Sequence, residues 1–152
     1  MSDDDDRLEP MNFYSSAEDY YQTAICIMQS QESGNFRLNF PFVAYYLFSH
    51  AVELALKGFL RTKGVSKKEL RNKYIHKFRK LITDCISHGL PLEKTECEVA
   101  IKWLEDFDRE AINFRYPRGG VMVLEEIHSV RSNVERILSV VRPACEQARA
   151  AR

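Results

Sequence analysis

The residues best suited to chemistry in this chain are Arg71, Asn72 and His76, within the run Arg71-Asn72-Lys73-Tyr74-Ile75-His76. An arginine five positions before a histidine can present both side chains to one phosphate. The guanidinium offers a fixed positive fork to phosphate oxygens, and imidazole exchanges a proton near neutral pH. Together they suffice for metal-free cleavage of RNA by its own 2′-hydroxyl. His76 would move the proton, Arg71 would stabilise charge on the pentacoordinate phosphorus, and Asn72 can orient either partner. The plainer reading keeps Arg71 as part of a basic run and gives His76 the start of a helix.

A second constellation is His50, Glu53 and Lys57, spaced i, i+3 and i+7 so that they share one helix face. A largely apolar helix carries such groups only with partners. One solution is an exposed stripe closed by a local Glu53–Lys57 pair. The other is an internal polar cluster completed by Arg115, Tyr116 or His76. The third constellation, Arg115-Tyr116-Pro117-Arg118-Gly119-Gly120, reads either as an anion-contacting loop or as a helix end with Arg near the negative pole of the dipole. His88 and His128 read as structural. No pair of His, Cys or acidic residues has the helical spacing of a metal site, and no Walker or G-x-G-x-x-G sequence occurs, so neither metal nor cofactor is expected.

Charge is segregated along the chain. Formal net charge is zero over 152 residues. Yet Asp3 to Asp6 and Glu9 crowd the first ten positions, while Lys57 to Lys80 holds ten cations against Glu69 alone. Such a block lies on a solvated surface or faces an anion such as nucleic acid. Cys26, Cys85, Cys97 and Cys145 lack CxxC or zinc spacing and read as small core residues in a reducing compartment. The acidic N-terminus does not resemble a secretory signal, and the apolar run around Phe40–Phe48 is too short to span a bilayer. A cytoplasmic protein with no membrane partner is expected.

These residues must be positioned by helices, because apolar residues recur at threes and fours and no strand alternation is sustained. The pattern predicts an all-α, up-and-down bundle of four to five helices spanning residues 13–145, between an acidic tail over 1–12 and a C-terminal tail over 146–152. Ser15 or Ser16 would cap a first helix carrying Ala17, Tyr20, Tyr21, Ala24 and Met28 inward. A second, central helix begins near Asn39-Phe40-Pro41 and runs to about Thr62, with Gly64 as its stop. Ser66 caps a short turn through Leu70. A third helix turns Ile75, Phe78, Leu81, Ile82, Cys85 and Ile86 to one side. A fourth runs from about Glu93 to Phe114, with Ala100, Leu104, Phe107 and Ala111 in one stripe. The last runs from about Val123 to Val141, its regular part ended by Pro143.

The run Phe42 to Leu60, with His50, Glu53 and Lys57 as an H-x-x-E-x-x-x-K-like polar stripe, resembles the second helix of HEPN-domain proteins. His76-Lys77-Phe78-Arg79-Lys80-Leu81 resembles the histidine that opens the following helix in one branch of that family. Arg115-Tyr116-Pro117 resembles a further landmark of the same branch. The resemblance covers most of residues 13 to 142. It implies a helical bundle, commonly a homodimer, and a metal-independent endoribonuclease working through R-x(4–6)-H, which Arg71 and His76 supply with Asn72 beside the Arg. It places such proteins in toxin–antitoxin or defence systems. In the branch with this polar stripe a clear catalytic Arg is often missing, so the resemblance equally implies a non-catalytic RNA- or nucleotide-binding module. A helical module that binds a protein partner is the alternative.

Overall fold

The computed structural model describes residues 9–38, 42–75, 77–115 and 124–151, with side chains in the third stretch described as far as residue 108. Among these residues the chain is all-helical, with no strand. Six helices follow in order: α1 (Pro10–Glu32), α2 (Val43–Thr62), α3 (Lys67–Lys73), α4 (Phe78–Ser87), α5 (Lys94–Arg115) and α6 (Ile127–Ala150). The expected four to five helices become six because the turn after Ser66 is a seven-residue helix. Ser66 caps it by accepting the Glu69 amide at 3.1 Å.

α2 is the central element, packed against α1, α6, α4 and α5. Its wide apolar face accounts for this. Phe48, Val52, Leu56 and Leu60 are fully buried, as are Ala51 and Ala55. The closest approach is at Gly58, where a Cβ would lie 2.9 Å from Phe13 Cβ and 3.2 Å from the Pro10 carbonyl oxygen. Only glycine lets α1 sit that near. α2 stops at Thr62, two residues before Gly64, whose φ of 86° is the left-handed conformation that terminates a helix.

Several expected boundaries move. α1 starts at Pro10, not at Ser15 or Ser16. Proline is pre-set for the first helical position, and Pro10, Phe13 and Tyr14 are buried. Residues 10–12 of the expected acidic tail are therefore helical. At the other end α6 continues through Pro143 to Ala150 and takes in most of the expected C-terminal tail. Val141 and Cys145 are fully buried on either side of the proline, so packing holds the helix where backbone preference alone would end it. In α4 Leu81, Ile82 and Cys85 are buried, but Ile75 and Ile86 are exposed. Ile75 lies outside the helix, and Ile86 lies one position past the buried Cys85. Cys85, Cys97 and Cys145 are buried as expected; Cys26 is exposed, and all four are free thiols.

Candidate functional site

The outward face of α2 carries the polar stripe, and the structure brings its three members together. Glu53 lies 3.4 Å from His50 Nδ1 through one oxygen and 3.4 Å from Lys57 Nζ through the other. The group is half-buried, with side-chain exposures of 36%, 25% and 17% for His50, Glu53 and Lys57. Burial by itself raises the pKa of Glu53. Hydrogen bonding from His50 and the charge and hydrogen bond of Lys57 outweigh it, so the carboxyl titrates below its ordinary range. The ring of Tyr20 meets the His50 imidazole edge-on, with centroids 4.5 Å apart. Tyr20, expected on the core face of α1, is thus half-buried against the polar stripe.

One turn before His50, Tyr46 stands on the same face with 59% of its surface exposed. Its ring meets that of the buried Phe107 at 6.4 Å, and Phe107 stacks on Tyr45 at 6.3 Å. Tyr45 in turn donates its hydroxyl to the Glu125 carbonyl at 2.7 Å. Sequence reasoning passed over Tyr46. The available signal was its position four residues before His50, on the stripe already identified.

Beyond the C-terminus of α2, the basic block wraps the corner made by α3 and the start of α4. Short connections between α2, α3 and α4 force these cations onto adjoining surface. A fixed contact locks the corner. Tyr74, 3% exposed, donates its hydroxyl to Asp84 Oδ2 at 2.6 Å, and Lys73 Nζ lies 3.4 Å from the same oxygen. The Tyr74 hydrogen bond and, against the effect of burial, Lys73 hold the Asp84 carboxyl below its usual range. Burial pushes the Tyr74 phenol up, and Asp84 adds to that.

A cleft of about 520 Å³ opens between α4 and α5, with Lys77, Phe78, Arg79 and Lys80 on one side and Glu105 and Asp108 on the other. Arg79 is bound to Glu105 at 2.8 Å. The exposed Lys63, Lys68, Lys77 and Lys80 form no ion pair with a described residue. The basic surplus of the sequence is thus partly neutralised through Glu53, Asp84 and Glu105 and partly displayed to solvent.

Of the other expected site residues, Arg71 is exposed in the last turn of α3, and Asn72 beside it is also exposed. His76, Tyr116 and the side chain of Arg115 lie outside the described residues. His88 Nδ1 lies 2.8 Å from the Asp84 carbonyl oxygen, and His128 Nε2 lies 2.6 Å from Glu32. Among the described residues no group of three His, Cys, Asp or Glu is placed to hold a metal ion, and no helix is long and apolar enough to cross a membrane. No family model, no curated protein and no solved structure matches this chain.

Proposed function

We propose that this chain is a HEPN-like RNA-binding domain in which the basic corner of α3 and α4 takes the phosphate backbone. The observation that carries this reading is the set Lys63, Lys68, Lys77 and Lys80, exposed and without ion-pair partners among the described residues, the last two lining a cleft that also presents Phe78. Unneutralised cations on adjoining surface attract a polyanion through counterion release. The first turn of α4 supports the same preference, since its N-cap residue Lys77 makes no side-chain capping bond and the positive end of its dipole adds to the charge of Lys77 and Lys80. The resemblance of the α2 stripe to HEPN proteins supplies the choice of RNA and the expectation of a homodimer.

Metal-independent cleavage by Arg71 and His76, as in toxin–antitoxin or defence nucleases, is the catalytic extension of this reading. What supports it is the exposure of Arg71 and Asn72 next to the basic corner.

Fluorescence anisotropy of a labelled RNA against increasing salt tests the proposal. Log affinity should fall linearly with log salt, and Lys68→Glu, Lys77→Glu and Lys80→Glu should each lower affinity across sequences and reduce the slope by about one. Salt-independent binding, or none, would overturn it. A protein-interaction module is then the better reading, with the exposed Ile75 beside the basic corner as its first anchor to test.

A further inference from the structure

Tyr46, His50, Glu53 and Lys57 fall at i, i+4, i+7 and i+11 on α2, a single outward stripe about 16 Å long at 1.5 Å per residue. Two features set this stripe apart from an ordinary solvated face. Tyr46 is a large ring held at the surface by a buried aromatic, Phe107, behind it. A ring anchored in this way loses little freedom when something stacks on it. His50 is fixed as well, by the Tyr20 ring on one side and by Glu53 at Nδ1 on the other. With Nδ1 turned to the carboxylate, Nε2 is the nitrogen that remains for a ligand.

The charges within the stripe balance. Glu53 faces Lys57, so the middle of the stripe does not attract phosphate. Cations without an ion-pair partner among the described residues follow α2 in the chain, at Lys63, whose ammonium also lies over the Phe59 ring, and at Lys68 in α3. An uncharged aromatic and hydrogen-bonding face is thus followed along the chain by a cationic segment, a division of labour that suits a strand placing one base over Tyr46 while neighbouring phosphates meet the cations.

We infer that Tyr46 and His50 form a base-reading platform for single-stranded RNA. Tyr46 stacks on an unpaired base, and His50 Nε2 bonds a base edge or a 2′-hydroxyl. This rests on the RNA-binding reading and narrows it to single strands. In an A-form duplex the base faces are already stacked and cannot reach a surface tyrosine, whereas single-strand binders pair basic tracks with exposed rings. His50 contributes as a hydrogen-bonding group and Glu53 as a positioning residue behind it.

The experiment measures the affinity of the full chain for three labelled probes: a mixed-sequence single-stranded RNA, the same backbone lacking bases, and a duplex of equal length. Wild-type chain, Tyr46→Ala, Tyr46→Leu and Tyr46→Trp are compared, with light scattering on each. Wild type should prefer the base-bearing single strand over the abasic one by about tenfold. Tyr46→Ala should bring the single strand down to the abasic affinity. Tyr46→Leu keeps apolar bulk over Phe107 but has no aromatic face, so it should do the same even if the alanine variant folds poorly. Tyr46→Trp should retain the preference.

Equal affinity of wild type for abasic and base-bearing strands, or full preference in Tyr46→Leu, would overturn the platform while leaving RNA binding intact. Failure of wild type to bind any of the three probes would instead overturn the RNA-binding reading itself. A dimer that becomes monomeric in Tyr46→Leu would mark the ring as a subunit contact and also overturn the platform.

Discussion

The indole N–H of Trp103 donates to Asn133 Oδ1 at 2.8 Å, joining α5 to α6 through two side chains that are 2% and 8% exposed. Asn133 passes the connection on, donating Nδ2 to the Glu96 carbonyl at 3.2 Å, and Arg136 Nε meets the Glu96 carboxylate at 2.7 Å. A sealed polar pair of this kind is costly to break from one side. Asn133→Ala leaves the indole N–H without its partner. It should cost about 1–3 kcal/mol in urea denaturation. Trp103→Phe combined with Asn133→Ala should cost less than the sum of the two single changes, as a double-mutant cycle would show.

Gly58 makes an opposing case, in which helix propensity and packing disagree. Alanine is preferred over glycine inside a helix by about 1 kcal/mol. At this position, however, the new methyl would lie 2.9 Å from Phe13 Cβ and 3.2 Å from a backbone oxygen, neither of which is the end of a flexible side chain. Gly58→Ala should therefore be destabilising by about 1–3 kcal/mol despite the better propensity, through the separation of α1 from α2. A melting temperature equal to or above that of wild type would show that the α1–α2 contact accommodates a methyl group at this position.

The helices were legible in the sequence wherever burial and periodicity agree. Ala17, Tyr21, Ala24 and Met28 in α1, and Val130, Val134, Ile137 and Val141 in α6, lie inward as their spacing requires. The boundaries were less legible because tertiary contacts set them. Pro143 is a helix stop by its own chemistry, but Val141 and Cys145 hold the backbone helical around it. The His50–Glu53–Lys57 cluster was legible because its members share one helix. The Tyr20–His50 and Tyr46–Phe107 contacts were not, because each joins residues from different helices. The neutralisation of Lys73 by Asp84 and of Arg79 by Glu105 was hidden for the same reason, and the displayed charge is smaller than the linear count.

The Tyr74–Asp84 contact predicts a pH dependence. Asp84 has a depressed pKa in the fold, caused first by the Tyr74 hydroxyl. A group of this kind adds stability above its unfolded pKa of about 3.9, and the contribution is lost as pH falls through the lower, folded value. Tyr74→Phe removes the hydroxyl while keeping the ring. It should cost about 1.5 kcal/mol at pH 7, the low end for a hydrogen bond to a charged group. The gap to wild type should stay nearly constant down to about pH 5 and narrow below the carboxylate range. Denaturation at pH 7, 5 and 3 measures it. A gap that widens on acidification would contradict the assigned direction.

Arg71 and His76 separate cleavage from binding. Arg71 stands exposed in the last turn of α3, next to the cations proposed to hold phosphate, and His76 follows five residues later. If the pair cleaves RNA, His76→Ala should abolish strand scission while the circular dichroism spectrum remains helical. Arg71→Lys retains the charge but loses the planar two-pronged donor, so activity should fall by about a hundredfold, the scale of losing one donor to a developing phosphorane. Attack by the 2′-hydroxyl dictates a 2′,3′-cyclic phosphate or its hydrolysis product. Proton transfer by imidazole and charge stabilisation by guanidinium need no divalent ion, so scission by this pair should continue in EDTA. Salt-sensitive binding with intact RNA after long incubation would place the chain with the non-catalytic modules. Scission that persists in both variants would assign the chemistry to other residues.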